Sequence, residues 1–225
     1  VITSTTAMKR ELETLTKKKV LINRNVVNQE LIEISKAYSH CVKDNKIRIG
    51  YFSGSITHNE NFELIKDSIL KILSENPHIE LHLVGHLTIP KELEPYKNQL
   101  VFNDYVDWKE LPKLIGEMDI NLAPLVNSIF NEAKSEIKWL EAALVKVPTI
   151  ASNIGSFAEM IDNGKTGILA NDDEWYQKLD LLVQNSDLRR NISEEAFRFV
   201  NEYCSTKSET KTLKDELELS LQIIK

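Results

Sequence analysis

Two lysines and a glutamate, Lys134, Lys138 and Glu141, stand at relative positions 0, +4 and +7 within Phe130–Ser152, FNEAKSEIKWLEAALVKVPTIAS. On a helix running Ser135–Val145 that spacing places all three on one face. Ile137, Leu140, Ala143 and Leu144 then form the opposite, core-facing stripe. Two cations and a carboxylate beside the mouth of an α/β sheet suit a phosphorylated ligand with a hydroxyl-rich end. Lys134, the Ser135 hydroxyl and the free N–H groups of the helix start would meet phosphate oxygens. Lys138 would add a second charge, and Glu141 would accept hydroxyl hydrogen bonds. The competing reading is a solvated stripe with one i,i+3 ion pair.

Other candidates surround this segment. The turn Ser53-Gly54-Ser55 would either bring backbone up to an anion or simply bend the chain where glycine permits it. His58 would either touch the ligand or cap a helix. Several motifs exclude themselves. Gly164-Lys165-Thr166 lacks the earlier glycine of a phosphate-binding loop, since Glu159 stands there, and reads as a turn. No G-x-S-x-G nucleophile elbow and no G-x-G-x-x-G after a strand occurs. Asp172-Asp173 reads as helix capping rather than metal ligation.

The elements that must position these residues alternate. Strands are predicted at Val1–Ser4, Val20–Asn23, Ile47–Ser53, Ile79–Val84, Leu100–Asn103, Ile120–Pro124, Thr149–Ser152 and Gly167–Leu169. Helices are predicted at Thr6–Leu15, Gln29–His40, Phe62–Asn76, Trp108–Gly116, Ser135–Val145, Phe157–Asn163, Asp173–Val183, Leu188–Tyr203 and Lys207–Ile224, with an Asp107/Glu110 capping box before the fourth. Near-continuous apolar strands separated by helices predict an α/β fold, a doubly wound Rossmann-like parallel sheet. Residues 1–23 read as a trailing βαβ remnant of a preceding domain, 24–28 as a linker, 29–204 as the ligand-binding domain, and 205–225 as a C-terminal amphipathic helix.

The 225 residues are 42% hydrophobic and 28% charged, the balance of a globular chain. A net charge of −6 argues against nucleic acid as a partner. Cys41 and Cys204 are too far apart for a metal motif and read as free thiols in a reducing compartment. No apolar run reaches the length of a membrane span. The chain opens on Val1, already strand-like, so a piece of a longer protein is expected.

Three segments together resemble the C-terminal half of a group 1 glycosyltransferase of the GT-B fold. They are Ile49–His58 (IGYFSGSITH), Asp119–Leu125 (DINLAPL) followed by Phe130–Ser152, and Ile161–Ala170 (IDNGKTGILA). The resemblance implies transfer of a sugar, with retention of configuration, from a nucleotide diphosphate donor. The donor would bind here and the acceptor, a sugar or lipid-linked glycan, mainly to an N-terminal domain. It implies no metal cofactor, and no DxD motif is present. Tyr105 and Val106 would flank the nucleobase, with core packing as the alternative. Glu141 matches the second glutamate of the family's E-x7-E pattern, which holds the ribose. The first falls on Ala133, leaving Glu132, one place early, as the candidate substitute beside the sugar. Ser55 and Glu60 stand where many relatives carry an arginine and a lysine, so Lys134 and Lys138 are the candidate replacements. A cytoplasmic setting follows, with peripheral attachment to the inner membrane face left open, in cell-surface polysaccharide or glycoconjugate synthesis. A sugar-nucleotide epimerase and a non-catalytic domain of the same fold are the rival readings.

Overall fold

The computed structural model describes residues 1–39, 44–54, 59–206, 214 and 217–218. Expectations on Ser55, His58 and Cys41, and most of those on the helix Lys207–Ile224, fall outside them.

The apolar runs become six parallel strands: β3 (Ile47–Ser53), β4 (Ile79–Gly85), β5 (Leu100–Asn103), β6 (Ile120–Ala123), β7 (Thr149–Ser152) and β8 (Ile168–Ala170). Their order is β5-β4-β3-β6-β7-β8. Relabelled from β3, that is the 3-2-1-4-5-6 order of a doubly wound sheet, with the reversal between β3 and β6. Alternate side chains enter opposite layers. Ile49 and Tyr51 of β3, with Leu81, Ile120 and Ile150, pack under α3 (Asn59–Glu75) and α8 (Trp175–Gln184). On the other face Phe52 and Val84 pack with Ile115 of α4 (Leu111–Gly116) and Ala142 of α6 (Ile137–Leu144). Ala123 and Ala151 pack with α6, α7 (Gly155–Met160) and α9 (Ser186–Tyr203).

Ahead of the sheet, β1 (Ile2–Thr3), α1 (Thr6–Leu15) and β2 (Leu21–Ile22) form a separate parallel βαβ unit. The segment after it is anchored rather than loose. Val27 is buried, donates its N–H to the Cys204 carbonyl at 2.9 Å, and pairs in parallel with Ser205. The Cys204 side chain is buried.

Several predicted elements are redrawn. The helix after Asn28 is α2 (Gln29–Ser35) and a 3₁₀ turn, Lys36–Tyr38. The Asp107/Glu110 capping box does not form: the Asp107 carboxylate accepts from Lys109 N at 3.0 Å, making Asp107–Glu110 a turn. The helix begins only at Leu111, with Pro112 in its first turn. Asp172 and Asp173 do not cap α8. The Glu174 carboxylate instead reaches back to Asn171 N at 2.9 Å. A 3₁₀ segment, Lys91–Gln99, and a one-turn helix, α5 (Ile129–Glu132), were not foreseen.

Candidate functional site

A crevice of about 300 Å³ opens where the strand order reverses. Phe52, Ser53 and Gly54 from the end of β3 and Val84 and Gly85 from β4 form its floor. Tyr105, Val106, Trp108 and Leu111, from the loop between β5 and α4, form one wall. Ile137, Lys138 and Glu141 of α6 form the other.

Each wall is fixed by identifiable forces. Gly85 sits at φ +90°, where a Cβ would drive into the Ser53 carbonyl oxygen. That close approach lets the Ser53 hydroxyl donate to the His86 carbonyl, while His86 N donates back to Ser53 O at 3.1 Å. Ser53 thus lines the crevice, but its proton is committed to the β4 loop. Tyr105 is 61% exposed and stacks on His86 at 5.5 Å, so it is not a core residue. Trp108 is 40% exposed across the same opening. Aromatic faces held open in this way suit a flat heterocycle.

The opposite wall is pinned from beneath. Trp139, fully buried, donates from Nε1 to the Thr166 carbonyl at 2.7 Å. Asn121 donates from Nδ2 to the Lys138 carbonyl at 3.3 Å and to Thr149 Oγ1 at 3.0 Å. Lys146, at φ 59°, closes the helix in the left-handed conformation. The crevice-facing Lys138 and Glu141 are half-buried rather than a solvated stripe. Burial lowers the Lys138 ammonium to about 8; the neighbouring Lys134 charge pushes the same way and Glu141 opposes it. Burial raises Glu141 to about 7, against the pull of Lys138. Lys138 Nζ also lies 5.3 Å from the centre of the Tyr51 ring.

Lys134 is not on the helix that carries Lys138 and Glu141. Asn131 O accepts from Lys134 N at 3.1 Å, ending α5, and α6 starts only after Glu136. The cause is tertiary. Asn131 donates from Nδ2 to Val126 O at 2.8 Å and to Asn61 Oδ1 at 3.2 Å, anchoring the preceding turn on α3. Ser135 is therefore not the helix cap. Its Oγ accepts from Asn25 Nδ2 at 2.8 Å. The Lys134 amine is shut off from solvent, finds no hydrogen-bond partner among the described residues, and lies 4.9 Å from the Phe130 ring centre. Burial lowers its pKa. A desolvated amine without a counter-charge, close enough to depress a second lysine, is arranged for an anion. Glu132 does not join the crevice; Arg10 of α1 holds its carboxylate at 3.0 Å. Among the foreseen residues the structure brings together Ser53, Gly54, Tyr105, Val106, Lys138 and Glu141, with Lys134 and Ser135 on the adjoining turn.

Sequence reasoning missed Trp108, Leu111 and Gly85. Trp108 was absorbed into a helix by its apolar spacing. A glycine closing an apolar strand, as Gly85 does, was the available signal for the floor.

A doubly wound sheet with an aromatic wall facing a carboxylate and a lysine across a crevice at its switch point is shaped to take a small ligand. The description "Glycosyl transferases group 1" matches residues 47–185, more than half of the chain, and the chain belongs to that family. An O-antigen biosynthesis glycosyltransferase of Escherichia coli, WbnH, is 23% identical over 184 residues, covering 80% of this chain and 51% of that protein. Anabaena Alr3699/HepE, solved in complex with UDP and glucose, superposes with a TM-score of 0.76 at 15% identity, over 97% of this chain and 62% of that one. The C-terminal domain of LpcC, a group 1 family protein of Francisella tularensis, gives a TM-score of 0.58 at 20% identity, over 76% of this chain and 98% of that domain. The structural likenesses establish the fold, that of GT-B glycosyltransferases. The chain spans about half the length of the curated relatives it matches.

Proposed function

We propose that this chain is the donor-binding, C-terminal half of a retaining glycosyltransferase that builds a cell-surface polysaccharide or glycoconjugate. The observation that carries the proposal is the crevice between Tyr105/Trp108 and Lys138/Glu141. One end offers aromatic faces to a base, the middle a carboxylate to ribose hydroxyls, and the adjoining turn an unpartnered amine to a diphosphate. The E. coli relative supports the polysaccharide setting, the Anabaena complex supports UDP as first probe, and the LpcC domain supports the C-terminal placement.

In this reading Glu141 grips the ribose and Lys138 neutralises the phosphates from the helix. Lys134 and Ser135 face the leaving diphosphate from the turn. As the bond to the sugar breaks, charge collects on the departing phosphate oxygens, and prepositioned cations in a dry site stabilise that charge most. The acceptor and the second wall of the cleft would come from the N-terminal half. This chain alone would therefore bind nucleotide and have negligible transferase activity.

Calorimetry of the chain with UDP, GDP and dTDP tests the first claim; no heat of binding with any of them at millimolar concentration overturns it. Retention is tested in the complete protein by the anomeric configuration of the first-formed product, an inverted product refuting it. Product analysis with donor alone would return an epimerised sugar nucleotide if the epimerase rival held.

A further inference from the structure

The turn carrying Lys134 is held from outside the sheet. Arg10 pairs with Glu132 at 3.0 Å, and Thr5 Oγ1 donates to the Ala133 carbonyl at 3.3 Å. Asn25 donates to Ser135 Oγ at 2.8 Å. Arg24 bonds Glu159 and donates to Thr6 Oγ1 at 3.2 Å, and its charge reaches the buried Glu136 carboxyl. So the N-terminal unit and its linker act on every residue from Glu132 to Glu136 except Lys134. The Lys134 amine has no hydrogen-bond partner among the described residues.

The direction of the Asn25 bond matters. A serine hydroxyl has one proton and two lone pairs. With an amide N–H of Asn25 occupying a lone pair, the Ser135 proton remains available, on the same turn as the unpartnered amine. Had the amide oxygen faced Ser135, the proton would be consumed. We propose that Asn25 is a positioning residue for the donor diphosphate. It orients the Ser135 hydroxyl without consuming its proton and so holds the Lys134 turn, making phosphate affinity depend on the segment joining β2 to α2. This rests on the reading of that turn as the diphosphate site. Asn25 is exposed and outside the core, so replacing it should leave the core packing intact.

The test compares UDP with uridine, which lacks the phosphates, on the whole 225-residue chain. UDP is titrated by calorimetry and uridine by NMR. Loss of the one hydrogen bond that orients Ser135 predicts UDP affinity about five-fold lower for Asn25→Ala, with uridine unchanged. Asn25→Asp should lower it further, because a carboxylate only accepts and takes the Ser135 proton. In a Ser135→Ala background, Asn25→Ala should add less than two-fold. Equal losses for UDP and uridine would mean general loosening and overturn the proposal. So would an Asn25→Ala effect that persists in full without the Ser135 hydroxyl, or no Asn25 effect while Lys134→Met still weakens UDP. That last outcome leaves the diphosphate reading standing. If Lys134→Met has no effect on UDP, the diphosphate reading itself fails and takes this proposal with it.

Discussion

Replacing Lys134 with methionine should make the free protein more stable and a poorer binder. Its amine is closed to solvent without a hydrogen-bond partner among the described residues and lies close enough to Lys138 to depress it. An unsatisfied buried polar group costs about 1–3 kcal/mol, more when charged. Methionine keeps the packing length of the side chain and its contact with the Phe130 ring, and removes both the orphan and the repulsion. The gain should therefore be about 1–2 kcal/mol. For a chain of this size that raises Tm by roughly 2–8 °C. A charge-assisted hydrogen bond to phosphate is worth about 1.5–3 kcal/mol, so UDP affinity should fall by roughly ten- to hundred-fold. Thermal unfolding with and without UDP reads both quantities, since ligand stabilisation follows mass action. The midpoint of the variant should start higher and rise less. A lower starting midpoint would mean that Lys134 is part of the fold's own bonding, and the argument from its isolation would fail. An unchanged response to UDP would remove it from the site.

Four further outcomes follow from the same crevice. Lys138, lowered to about 8 by burial, is partly neutral at pH 8.5 in the free protein, and a bound diphosphate would raise its pKa. Binding at that pH should thus take up protons, seen as a heat that changes with buffer ionisation enthalpy; no buffer dependence would detach Lys138 from the phosphates. Glu141 is held near 7, so its carboxylate, and with it the preference for ribose, should fade as pH falls below that value. Glu141→Gln should narrow the preference for UDP over deoxy-UDP by about ten-fold, measured by competition; an undiminished preference would place the ribose elsewhere. Tyr105→Ala should weaken uridine and UDP equally, by about five-fold for one lost stacking face. A loss confined to UDP would contradict the base slot.

The parallel sheet was legible because buried parallel strands are written as plain apolar runs, and all six sheet strands fall within a residue or two of their predicted positions. Lys138 and Glu141 were legible because helical spacing survives in α6. The break before α6 was not. The segment Glu132–Ser135 has ordinary helix formers, and its interruption is imposed by Asn131 bonding across to Asn61 and by Asn25 bonding to Ser135, partners far away in sequence. The wall at Trp108 was hidden for a similar reason. Its apolar spacing mimics a helix, while the Asp107 side chain folds the stretch into a turn. Glu132 looked available for a sugar because nothing local announces its partner on α1, Arg10.

Val27 and Ser205, which pair side by side, bracket the whole six-stranded layer. Entrance and exit of that layer share a single doorway. A swing of the layer relative to the βαβ unit would pull first on the Val27 segment where it lies against Ser205, ahead of any strand register inside the layer. Loosening Val27 should accordingly alter how freely the layer swings long before it alters how the layer folds.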